Sequence, residues 1–84
     1  MLRELQEILD KGFECLEYYW EEDNLVIEIC KEELDCYSNE ELEKYEELMN
    51  FFEKNAKTSK CDAFGYESYE FNDFTVEIVN ILND

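Results

Sequence analysis

Residues 13–30, FECLEYYWEEDNLVIEIC, decide the fold. Residues 13–20 are rich in aromatics that favour strands, and Leu25-Val26-Ile27-Glu28-Ile29-Cys30 is a β-branched run. Between them, Glu21-Glu22-Asp23-Asn24 is a short polar segment suited to a hairpin turn. A competing reading extends the upstream helix. Leu2, Leu5, Ile8 and Leu9 share one helical face, and Phe13, Leu16 and Tyr19 or Trp20 continue the spacing. Gly12 decides against it. With Lys11 it supplies a basic last turn and a left-handed stop, whereas inside a continuous helix it costs about 1 kcal/mol relative to alanine. The first helix therefore ends near Gly12, and a hairpin follows.

Downstream, Ser38-Asn39-Glu40-Glu41 matches a capping box, with the Ser38 hydroxyl on the Glu41 amide and the Glu41 carboxylate reaching back. Leu42, Tyr45, Met49 and Phe52 then recur at helical spacing, which predicts a helix over 39–55 with that face buried. Acidic residues crowd its first turns, and Lys54 and Lys57 follow at its end, the favourable order along a helix dipole. Residues 56–65 read as a loop. The tail reads as a second hairpin, 66–71 and 74–81 around Asn72-Asp73, because Phe74, Val76 and Ile78 alternate. A helix through Phe71, Phe74, Ile78 and Leu82, capped by Asn72, fits the same residues. The strand reading is preferred for its β-branching. The expected architecture is α+β: a single domain over 1–84, ordered α-β-β-α-β-β, with an antiparallel sheet packed against helices on one side.

Charge bounds the function. The chain has 24 acidic and 7 basic residues and no histidine, a net −17 over 84 residues. Disorder is excluded by the 45% apolar and 15% aromatic content, with no proline and two glycines. A folded surface this negative repels itself, so it is costly to keep, and stability is expected to rise with salt. It suits a positive partner, and strongly positive protein surfaces are above all those that bind nucleic acid. Direct nucleic-acid binding is disfavoured, because Lys54, Lys57 and Lys60 are too small a patch against −17. The N-terminus has no signal-peptide apolar stretch, and no run approaches a membrane span, so a cytoplasmic location without membrane attachment is expected.

Catalysis finds no support. There is no histidine base, no glycine-rich phosphate loop and no nucleophile elbow. The expectation is no enzyme, no catalytic residues and no cofactor. Cys15, Cys30, Cys36 and Cys61 include no CxxC pair. They read as ordinary thiols, since a four-thiolate zinc site would require four scattered positions to converge, and no metal site is expected.

The candidate partner-binding residues are carboxylates with aromatics beside them. On the helix 39–55, Glu40, Glu43 and Glu47 fall opposite the apolar stripe, about 4.5 and 6 Å apart along the axis. A duplex presents phosphates every 3.4 Å or so along each strand, so such a row imitates a phosphate run. Glu21, Glu22 and Asp23 at the hairpin tip, then Glu32, Glu33 and Asp35, extend it. Tyr18-Tyr19-Trp20 cannot point all three rings to one side of a strand, so Tyr19 and Trp20 join the candidates; Tyr66 and Tyr69 are further rings that exposure would make available.

In size, charge, aromatic content and α/β pattern the whole chain resembles the acidic DNA-mimic inhibitors of phages and mobile elements: anti-restriction proteins, inhibitors of uracil-DNA glycosylase and anti-CRISPR proteins. It also resembles the small acidic immunity proteins of toxin nucleases, although the tyrosine pair here precedes Trp20 rather than a proline. The resemblance implies a stoichiometric inhibitor that occupies the nucleic-acid site of a basic nuclease or host-defence enzyme of CRISPR or restriction type. The alternatives are an immunity protein, or a small acidic adaptor subunit that binds through apolar surface. An exposed sheet edge allows a homodimer under either.

Overall fold

The polar segment after Trp20 turns the chain. In the computed structural model, which describes residues 2–63 and 65–81, β1 (Leu16–Glu21) and β2 (Asn24–Ile29) pair antiparallel with Glu21 opposite Asn24. Only Glu22 and Asp23 make the turn, and Glu22 takes the left-handed φ of 54°. Upstream, α1 (Leu2–Leu9) buries Leu5, Ile8 and Leu9. The stop works through Gly12, at φ 80°, but the helix itself ends at Leu9. Lys11 therefore lies beyond the last turn, where it forms an ion pair with Glu47 at 2.8 Å.

After β2, a short 3-10 helix spans Lys31–Cys36, and α2 (Asn39–Asn55) follows. The Ser38 hydroxyl accepts from the Glu41 amide at 3.3 Å, as the capping box requires. Glu41 does not reach back. Its carboxylate is buried, accepts the amides of Glu14 at 2.6 Å and Cys15 at 3.0 Å, and meets Lys44 at 2.8 Å. Those amides belong to the segment entering β1, which would otherwise bury unpaired donors. The buried stripe of α2 is accordingly Glu41, Leu48, Phe51 and Phe52, with Tyr45 and Met49 partly buried against it; Leu42 lies at its margin.

The stretch expected to be a loop holds β3 (Thr58–Cys61), all of it exposed, which no apolar alternation could announce. The expected second hairpin is present as β4 (Glu67–Glu70) and β5 (Thr75–Asn80). Phe64 and Leu82, which fall in these stretches, lie outside the described residues. The five strands form one mixed sheet in the order β1-β2-β5-β4-β3. The expected all-antiparallel sheet is corrected at one junction: β5 runs parallel to β2, Leu25 beside Val76 and Ile27 beside Ile78. β2 has the composition of such a strand, with Leu25, Val26 and Ile27 consecutively buried.

The core lies on the helix side. Leu5, Leu9, Leu25, Ile27, Ile29, Leu48, Phe52, Val76 and Ile78 are fully buried there. An aromatic cluster closes one end, with Phe71 stacked on Phe74 at 4.5 Å and Phe52 against Tyr69 at 5.4 Å. No helix among the described residues is long and apolar enough to cross a membrane.

Candidate interaction surfaces

The parallel junction determines where the charges meet. Because β2 and β5 begin at the same end of the sheet, the turns that precede them lie side by side. The Thr75 amide donates to the Asp23 carbonyl at 2.9 Å, and the Thr75 hydroxyl donates to Asn24 Oδ1 at 2.6 Å. Glu21, Glu22 and Asp23 are thereby joined by Glu70 and Asp73 around a shallow hollow of about 370 Å³, with Phe71 and Phe74 in its wall. Glu21, Glu22, Asp23, Glu70 and Asp73 are all exposed.

Glu32, Glu33 and Asp35 are exposed too, but they do not extend this group. They follow the other end of β2, about 17 Å away along the strand. The N-terminus of α2 lies at that second end, since Glu41 binds the segment entering β1. Glu40 and Glu43 therefore belong with the 3-10 helix, not with the hairpin tip. Glu47 leaves the row altogether, because Lys11 donates to both of its carboxylate oxygens, at 2.8 and 2.9 Å. The single phosphate-like row expected along α2 is thus replaced by two acidic groups at opposite ends of the sheet.

The aromatic candidates divide by strand alternation. Leu16, Tyr18 and Trp20 point to the core side, where Trp20 meets Phe74 edge-on at 6.0 Å. Trp20 is therefore half-buried against the core rather than an exposed anchor. Tyr69 is buried as well. Tyr19 lies on the opposite face at 44% exposure, and Tyr66 is 36% exposed. That face carries no helix among the described residues, and Glu17, Glu21, Glu28, Glu70 and Glu77 share it with Lys60. Partial burial, then the negative charges of Glu21, Glu28 and Glu77, raise the Tyr19 phenol above its usual range. Burial also raises Tyr66, followed by the charge of Glu77 and a hydrogen bond to it. Both rings remain neutral phenols at physiological pH.

Reading the charges from the sequence omitted Glu70 and Asp73, which only the parallel pairing brings to the hairpin tip. It also omitted Glu17, Glu28 and Glu77, although the alternation of Leu16–Glu21 already placed Glu17, Tyr19 and Glu21 on one face.

The thiols stand apart from these surfaces. Cys15 is buried, and its thiol is pushed up to about 12 by burial and by its hydrogen bond to Glu41. Cys30 is half-buried, and Cys36 and Cys61 are exposed. All four are free, and no group of histidine, cysteine and carboxylate side chains able to hold a metal occurs among the described residues.

No protein-family model, curated protein or solved structure matches the chain.

Proposed function

We propose that the protein is a stoichiometric inhibitor that takes the place of nucleic acid on a basic protein, a nuclease or a host-defence enzyme of CRISPR or restriction type being the target class. The observation that carries this reading is the acidic end of the sheet, where two turns distant in sequence place Glu21, Glu22, Asp23, Glu70 and Asp73 around one hollow. Backbone hydrogen bonding holds the two turns together, so the carboxylates are presented in a set arrangement, as phosphates are along a duplex.

The remainder of the charge supports it. Arg3, Lys11, Lys31 and Lys44 already pair with carboxylates of the chain, four of its seven cations, while the net charge stays at −17. The mechanism is competition: Glu and Asp side chains engage the Arg and Lys groups that phosphates would otherwise occupy, and no step makes or breaks a covalent bond. The field of the whole molecule also steers a positive partner toward it.

The test is capture from nuclease-treated cell extract, eluted in salt steps, with Glu22→Gln/Asp23→Asn/Asp73→Asn and Glu40→Gln/Glu43→Gln variants run beside the parent. The reading expects a nucleic-acid-binding enzyme that duplex DNA displaces and that the first variant fails to retain. A partner that survives high salt, ignores DNA and binds every variant equally would replace this reading with that of an acidic adaptor subunit.

A further inference from the structure

The sheet face opposite the helices carries two exposed rings, Tyr19 on the edge strand β1 and Tyr66 just before β4, among carboxylates that form no ion pair among the described residues. Register places Tyr19 beside Val26, Val26 beside Glu77, Glu77 beside Ser68 and Ser68 beside Lys60, one row across all five strands. Val26 is only 5% exposed although no described helix lies over it, so side chains of this face, among which Tyr19 is its register partner, shade it. Glu17 and Glu28 lie opposite each other one step along, and neither forms an ion pair among the described residues. Two carboxylates directly across a strand pair repel each other, a cost that a cation placed between them removes. The face is also continuous with the acidic hollow, because Glu21, Asn24, Thr75 and Glu70 form its last row.

We propose that this open sheet face docks an arginine-rich surface of the basic partner, with Tyr19 and Tyr66 stacking under guanidinium planes and Glu17, Glu28 and Glu77 pairing with their charges. Charge complementarity chooses the occupant. A second copy of the chain would bring like charges together, and an apolar partner would desolvate the carboxylates without pairing them. Chemistry chooses arginine over lysine. The guanidinium is planar, loses hydration easily and can stack on a phenol while donating to a carboxylate beside it, whereas an ammonium is a strongly hydrated point charge. Tyr66, held against Glu77, offers such a ring and carboxylate side by side.

This inference rests on the nucleic-acid-mimic reading and assigns it a surface. The test titrates the 15N-labelled full chain with nona-arginine and nona-lysine peptides at 150 mM salt and follows the amide resonances. The expected result is saturable binding, about five-fold tighter for the arginine peptide, with the largest shifts at Glu17, Tyr19, Val26, Glu28, Tyr66 and Glu77. Tyr19→Leu, which keeps Val26 covered, removes the arginine preference while the spectrum stays dispersed. Glu17→Gln, an exposed change that leaves the core untouched, weakens both peptides. Equal affinity for the two peptides, or shifts confined to 21–24 and 70–75 or to 31–43, overturns the proposal. Those outcomes leave the mimic reading in place, since the hollow alone can serve it; that reading falls separately if the captured partner is not displaced by DNA.

Discussion

The backbone amide of Thr75 donates to the carbonyl of Asp23 at 2.9 Å, joining two turns that lie far apart in the chain. That contact exists because β5 runs parallel to β2, and it converts two ordinary hairpin turns into one acidic surface. Charge that would be dispersed in a simple meander is gathered at one end of the sheet.

The gathering has a stability cost that salt should relieve. Raising NaCl from 20 to about 500 mM shortens the screening length from roughly 20 to 4 Å, and repulsion among carboxylates with few counter-charges weakens accordingly. The expected gain is about 1 kcal/mol, equivalent to roughly 4–8 °C in Tm for a domain of this size. Thermal unfolding followed by circular dichroism measures it. A Tm that falls with salt would show that attractive ion pairs outweigh the repulsion.

Glu41 should dominate the acid response. Burial alone would push its carboxyl up, but Lys44 and the amides of Cys15 and Glu14 outweigh burial and hold it down at about 2, against an ordinary 4.5. A carboxyl lowered in the folded state contributes stability that is present above pH 4.5 and lost as pH falls toward 2. Stability is therefore expected to hold level from pH 7 to about 5 and to fall below that. Urea midpoints across pH 2–7 trace the curve. Glu41→Ala strands the amides of Glu14 and Cys15, while Lys44 keeps the Gly12 carbonyl at 2.7 Å, and should lose about 2–4 kcal/mol. Glu41→Gln can still accept both amides, so it should lose less and flatten the acid limb.

Glu22 holds a left-handed backbone at φ 54°, a conformation that costs a residue with a side chain roughly 1–2 kcal/mol. Glu22→Gly removes the strain and one charge from the acidic end, while giving the unfolded chain more freedom. A net gain of about 0.5–1 kcal/mol in urea unfolding is expected, together with weaker retention of the captured partner. A variant both more stable and less active separates binding from folding at this tip.

Two glycines allow a comparison. Gly12 and Gly65 both have positive φ, 80° and 85°, but a Cβ at Gly12 meets nothing within 4 Å while one at Gly65 comes within 3.3 Å of Asn80 Nδ2. Asn80 Oδ1 in turn accepts the Lys31 amide at 3.0 Å, which anchors the 3-10 helix to β5. Gly12→Ala should cost about 1 kcal/mol, and Gly65→Ala more, with amide exchange at Lys31 speeding up only in the second.

Local signals carried much of the fold. Gly12 marked the first helix stop, the polar turn after Trp20 marked the first hairpin, and Ser38 set the start of α2 to the residue. The alternation around Val76 and Ile78 chose strand over helix. What escaped was non-local. Nothing in residues 75–80 states that they pair with β2 in parallel rather than lying at an edge, and β3, Thr58-Ser59-Lys60-Cys61, is exposed throughout and lacks the apolar alternation that identifies a strand. Glu41 looked like any first-turn acidic residue. Its burial depends on where Glu14 and Cys15 present their amides, which only the assembled fold fixes. The candidate surface shared that limit: the hairpin-tip carboxylates were legible, while Glu70 and Asp73 beside them, and the separation of Glu32, Glu33 and Asp35 from them, followed from the sheet order.

Competition with DNA tests the central claim most directly. A fluorescent duplex bound to the captured enzyme is titrated with the protein, and the displacement is repeated from 50 to 300 mM salt. Displacement that is complete at one protein per enzyme, with a salt dependence as steep as that of the duplex, is the predicted result. A ternary complex, in which the enzyme holds the protein and the duplex together at full occupancy, would contradict it.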